Sequence, residues 1–157
     1  MAAQTFVGSR AAATKQSYTG PGGANLCVAY GAFTLTEVPE VNDVYQLCRL
    51  PAGAVVVGGY FAATDIDTGA ETLDIDLGYS ANGAVVEDPD AFGNFDLISG
   101  DSPGVDITNG IVANQRILGF TTFLSFTRET IVQAKVVAVA AAGGTGTVSV
   151  VIHYIVP

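Results

Sequence analysis

Fifteen acids, one histidine and two cysteines are the residues of this 157-residue chain whose types could carry chemistry. The acids gather as Asp65 and Asp67, Asp74 and Asp76, and Glu87, Asp88 and Asp90. Paired carboxylates can hydrolyse glycosides, and clustered ones can hold calcium. Asp74 and Asp76, two apart on a strand, would share one side about 7 Å from each other. None of the groups matches a D-x-[DN]-x-[DN]-G calcium loop. Turns and solvated strand faces also favour aspartate, which hydrogen-bonds nearby backbone. The acids therefore read as solvated turns and faces. Asp88 and Asp90 are the calcium candidates, and no catalytic pair is expected.

His153 is the single histidine, so a zinc site of two or three histidines cannot be built and a triad lacks support. It falls out of phase with Val150, Ile152 and Tyr154, which predicts an exposed or interface position. Cys27 and Cys48 lie in apolar runs; two cysteines make neither a disulfide framework nor a metal knuckle, and buried reduced thiols are expected. The signatures G-x-x-x-x-G-K-[ST], G-x-S-x-G, H-E-x-x-H and G-x-G-x-x-G are all absent. Gly143 to Gly146 links two strand-like runs and opens no helix, so it offers no phosphate cradle. No catalytic, cofactor or firm metal residue is expected. Trp is absent, leaving Tyr18, Tyr30, Tyr45 and Tyr60 as the rings that could stand exposed for a sugar.

The elements that would position these residues are strands. Residues 1–24 are small and polar and end in Thr19-Gly20-Pro21-Gly22-Gly23-Ala24, which predicts an extended N-terminal arm and a loop. Residues 25–157 then form one domain. Strands are expected over Leu26–Glu37, Asp43–Leu50, Ala54–Thr64, Thr72–Tyr79, Asn94–Ile98, Val105–Ile107, Ile117–Phe126, Thr130–Ala140 and Thr147–Val156. In the second, Val44, Gln46, Cys48 and Leu50 are expected on one face and Tyr45, Leu47 and Arg49 on the other. In the fourth, Leu73, Ile75, Leu77 and Tyr79 should face inward. Gly58-Gly59 inside a strand signals a bulge. Ser80 to Phe92 reads as a long connection, and Val136 to Tyr154 as a closing hairpin around the glycines. No capped helix pattern is present. The fold class is all-β, an antiparallel β-sandwich, jelly-roll-like.

Charged residues make up 13% of the chain against 49% hydrophobic, with a mean hydropathy of +0.42. Such sparse charge suits a subunit covered by copies of itself or by a lattice. The net charge of −9, without any basic run, argues against nucleic acid. Residues 1–36 carry Arg10 and Lys15 and no acid, +2. The remainder sets four basic residues against all fifteen acids, −11. A mildly cationic arm on an acidic body could dock on an acidic neighbour. No signal peptide or membrane span is expected, and synthesis in a reducing cytoplasm fits the cysteines.

Several pieces follow one another in a familiar order: Leu50-Pro51-Ala52-Gly53-Ala54-Val55, Asp65-Ile66-Asp67-Thr68-Gly69 and Leu73-Asp74-Ile75-Asp76-Leu77-Gly78-Tyr79. Asp88-Pro89-Asp90-Ala91-Phe92 and the run around Ala142-Gly143-Gly144-Thr145-Gly146-Thr147 come after them. Across residues 27–157 this succession resembles the small structural proteins of tailed-phage virions, usually capsid decoration (cement) subunits. The resemblance implies a β-sandwich, often a homotrimer, on the outer surface of the capsid, bridging major capsid protein subunits. It implies no catalytic residue, cofactor or membrane. Arg10 and Lys15 lie outside the matched span and are candidate capsid contacts. The alternative is a fibre- or tail-associated, lectin-like module that binds host glycans.

Overall fold

A computed structural model describes residues 4–8, 18–19, 23–64, 66–70, 72–83, 85–96 and 124–156. Among them the chain forms nine strands and no helix: β1 (Thr5–Val7), β2 (Tyr18–Thr19), β3 (Gly23–Leu35), β4 (Val44–Leu50), β5 (Val55–Ala63), β6 (Asp74–Tyr79), β7 (Asp88–Asp96), β8 (Thr130–Ala138) and β9 (Gly146–Val156). They build a five-stranded sheet, β1-β4-β8-β6-β7, and a four-stranded sheet, β2-β3-β9-β5. Every pairing is antiparallel except that of β1 with β4. The all-β, two-sheet expectation is met.

Period-two alternation places the core where the pattern is unbroken. On β9, Val148, Val150, Ile152 and Tyr154 are buried, and on β6 so are Ile75 and Leu77, with Leu73 just before them. Ring pairs knit the two sheets together: Phe61 of β5 meets Phe95 of β7 at 4.8 Å, and Phe33 of β3 meets Tyr45 of β4 at 5.0 Å. Cys27 and Cys48 are buried thiols in this core, as expected. Burial pushes the Cys48 thiol up to about 12, which keeps it protonated and inert.

A bulge accounts for the one misread phase. On β4, Gln46 pairs with Gln133 and Cys48 with Val132, so Leu47 is an extra residue. The strand changes phase there, and Tyr45, Leu47, Cys48 and Leu50 are all buried. Tyr45 is thus a core ring and no candidate for sugar binding. On β6 the expected face holds: Leu73, Ile75 and Leu77 are buried, and Tyr79, though half-buried, packs on the core against Phe92 and Phe126. The register shift opposite Gly78 comes from extra residues on β7. The bulge expected at Gly58 is present, with a register shift between Val56 and Gly58.

Two connections differ from expectation. Asp88 to Phe92 is not loop but the first half of β7. Pro89 has no N–H to give a second neighbour, and among the described residues β7 lies at the sheet edge beside β6, where proline is tolerated. The expected hairpin at the glycines is an arch between sheets, because β8 belongs to the five-stranded sheet and β9 to the four-stranded one. Gly143 and Gly144 take φ of 93° and 113° to turn it. The strand expected over Val105–Ile107, and Ile117 to Phe126 except its last three residues, lie outside the described residues. Ser125 makes an antiparallel bridge to Val55.

Close approach of the sheets depends on Gly31. A Cβ there would run into the Leu47 carbonyl and the Cys48 side chain of β4. Gly31→Ala is expected to destabilise the fold by about 2 kcal/mol, the usual scale for an overpacked core, read as a lowered urea midpoint with unchanged m-value.

Candidate functional site

Three of the connections between the sheets, β3 to β4, β5 to β6 and β8 to β9, cross at the same end of the sandwich. Backbone pairing joins the last two: Thr68 N–H donates to Ala142 O at 3.0 Å and Gly144 N–H to Ile66 O at 2.9 Å. Asp67 lies between them, buried with 3% of its surface exposed. Its carboxylate accepts the backbone N–H groups of Gly69 (3.3 Å), Thr72 (2.6 Å), Leu73 (3.1 Å), Ala141 (3.1 Å to each oxygen) and Ala142 (3.2 Å). Burial acts to raise this carboxyl's pKa, but the N–H donors of Thr72, Ala141, Ala142 and Gly69 outweigh it and hold it at about 2. Asp67 was expected in a solvated turn; the structure makes it the buried anchor of two arches. The β3–β4 crossing has its own acid. Asp43, also buried, accepts the N–H of Glu40 at 2.9 Å and of Gln4 at 3.0 Å, tying the segment before β1 to the body.

The remaining sequence candidates are dispersed. Asp74 and Asp76 sit on the outer face of β6; Asp76 Oδ1 accepts the Asn94 amide at 2.7 Å. Asp74 Oδ1 is buried without a hydrogen-bond partner among the described residues, and its residue pairs with Asp96 across the β6–β7 ladder. Asp88 and Asp90 lie on β7, half-buried and exposed. Burial, then the hydrogen bond with Asp90 and that residue's charge, raises the pKa of Asp88. Among the described residues no three His, Cys, Asp or Glu side chains gather to hold a metal. His153 is half-buried, edge-on to Tyr60 with ring centroids 5.6 Å apart, on the outer face as its phase predicted. Asp65, Arg10 and Lys15 lie outside the described residues.

The cleft beside Asp43 has a volume of about 70 Å³ and is lined by Gln4, Phe33, Glu37, Glu40 and Tyr45 among others. Substrate pockets run to roughly 300 Å³ or more. Burial, then the charges of Asp43 and Glu37, raises the pKa of the Tyr45 phenol and keeps it neutral. A cleft of this size holds water rather than a substrate. No helix among the described residues is long and apolar enough to cross a membrane.

The chain shares its fold with chains of three phage capsids. The match to a chain in the capsid of Ralstonia phage GP4 has a TM-score of 0.72 at 21% identity and covers 98% of both chains. A chain of the cyanophage Pam1 capsid asymmetric unit gives 0.59 at 22% identity, over 88% of this chain and 92% of that one. A chain of the acidic stable capsid of Helicobacter pylori bacteriophage KHP30 gives 0.52 at 19%, over 84% and 89%. No family model and no curated protein matches the sequence.

The two titrating acids predict opposite pH effects. Asp67 has its folded pKa lowered from 3.8 to about 2. Its stabilisation, roughly 2 kcal/mol from that shift, is present above the unfolded value and lost as pH falls toward the folded one. Asp67→Asn is expected to lose about 2–3 kcal/mol at pH 7, because an amide nitrogen would face N–H donors; urea titrations at pH 7 and at pH 2.5 should show the difference shrinking in acid. Asp88 has a raised pKa, so its ionised form costs stability at neutral pH and the cost fades on protonation. Asp88→Asn should therefore raise the melting temperature at pH 7, with a smaller gain at pH 3.5.

Proposed function

We propose that this chain is a non-enzymatic structural protein of a phage virion, a decoration subunit that stabilises the capsid from its outer surface by bridging major capsid protein subunits. The observation that carries the reading is the shared fold with a chain of the Ralstonia phage GP4 capsid over 98% of both. It agrees with the resemblance carried by Leu50 to Val55, Leu73 to Tyr79 and Asp88 to Phe92. The physical setting fits as well, since the buried acids serve the backbone and the cleft is too small for a substrate.

In this reading residues 25–157 are the body and residues 1–24 the arm, with Arg10 and Lys15 supplying positive charge to an acidic neighbour on the shell. Three copies form a homotrimer at a junction of the lattice. Each junction then gains buried area on the scale of a specific interface, about 1,200–2,000 Å², which holds an expanded shell against internal pressure. Neither nucleic acid nor membrane has a part in this. The glycan-binding alternative is weaker, because Tyr45 is a core ring and Asp88 and Asp90 lie along a strand rather than gathered at a loop tip.

Cryo-electron microscopy of virions containing this chain tests the proposal. Density for the sandwich is expected on the outer surface, over junctions between major capsid subunits. Density confined to the tail, or purified particles lacking the chain, would overturn it. Removing residues 1–20 is expected to lower capsid occupancy at least tenfold, measured by quantitative gel analysis of purified particles; unchanged occupancy would take the arm out of the mechanism.

A further inference from the structure

The outer faces of the two sheets differ in kind. On the five-stranded sheet Arg49, Lys135, Asp74 and Asp76 punctuate the surface, with Asp76 opposite Lys135. On the four-stranded sheet the outward residues of β3 (Leu26 to Thr34), β9 (Thr147 to Ile155) and β5 (Val55–Ala63) include no Asp, Glu, Lys or Arg. Tyr60 is 61% exposed and Tyr30 42%. Both pair with Val151 of the central strand, Tyr30 from β3 and Tyr60 from β5. Tyr30, Val151 and Tyr60 therefore form one level row across the face.

From this face we infer a self-association surface: copies of the chain meet through the outer side of β3, β9 and β5. Charge chooses the occupant. The chain carries −9, and copies meeting through an acidic region would set like charges against each other. Here they meet without that cost, through a charge-depleted, tyrosine-bearing patch of the kind found at interface cores. The level row makes the face self-complementary. Any rotation axis parallel to β9 keeps the row at one height, so Tyr30 of one copy meets Tyr60 of the next whether the ring closes with two copies or three. Three strands about 4.8 Å apart and ten residues long project to roughly 500 Å² per copy, and the relief of the side chains enlarges that toward the ~800 Å² per partner of a specific interface. The inference deepens the capsid reading and rests on it only for the number of copies.

Light scattering and sedimentation velocity on the free chain test the surface. The parent protein is expected to be an oligomer. Tyr60→Glu and Ala32→Glu, both at exposed positions, are expected to weaken association at least 100-fold while keeping the β-type circular dichroism. Val137→Glu, exposed on the other sheet, should leave the mass unchanged. A monomeric parent, or Tyr60→Glu and Ala32→Glu variants with the parent's mass, would overturn the inference. Loading onto capsids separates the two proposals. A monomer that loads as parent but not as Tyr60→Glu assigns this face to the shell, overturning self-association and sparing the capsid reading. An oligomer that behaves as expected yet never loads overturns the capsid reading alone.

Discussion

A carboxylate taken out of water has to find hydrogen-bond donors or give up its charge, and the sandwich is organised around how Asp67 does so. Five backbone N–H groups from two distant stretches converge on it. The groups on Gly69, Thr72 and Leu73 belong to the β5–β6 crossing, and those on Ala141 and Ala142 to the β8–β9 crossing. An arch between sheets cannot satisfy its own backbone as a hairpin can, because its two strands never pair. One ion resolves both arches at once, and charge-assisted bonds are the stronger kind. Needing no cation, it also avoids burying a second charge.

With that end fixed, other distances follow. Asp43 secures the third crossing at the same end, and its bond to Gln4 N–H holds β1 in parallel register beside β4. The sheets then stand close enough for Gly31 to lie against the Leu47 carbonyl and for the Phe61–Phe95 and Phe33–Tyr45 pairs to span the core. Chain composition also gains a location. Part of the high apolar content fills this core; another part lines the uncharged outer face of the four-stranded sheet. A lone monomer has little reason to keep charge off a whole sheet face, whereas a packed subunit has one.

How far the sequence was legible depended on whether the signal was local. Strands β6 and β9 were readable because alternation records burial residue by residue. The β4 face was misassigned because the extra residue at Leu47 leaves no local mark: apolar residues fall on both alternating faces of Val44 to Leu50. Pro89 argued for a loop, since its tolerance in β7 depends on which strand happens to form the sheet edge. The glycines at 143 and 144 look alike in a hairpin and in an arch, and the difference is which sheet each flanking strand joins. Asp67 was the costliest miss. Asp-Thr-Gly is a turn signal whichever way the carboxylate points, and its donors at Ala141 and Ala142 are alanine backbones without a side-chain signature.

The same accounting of polar groups bears on function. A catalytic or ligand site keeps donors or charges aimed at a space where a substrate will sit, underused until it arrives. The buried polar side chains described here are used already: Asp67 and Asp43 by backbone N–H groups, Thr130 by the Arg128 carbonyl at 3.0 Å, and Gln133 by Glu87 at 2.8 Å. The exception, Asp74 Oδ1, belongs to a strand's outer face and opens on no described cleft. Among the described residues the buried polar groups are thus committed to architecture. In the proposed reading the chain acts by what its faces cover, and the contrast between its two outer faces is the feature on which specificity would rest.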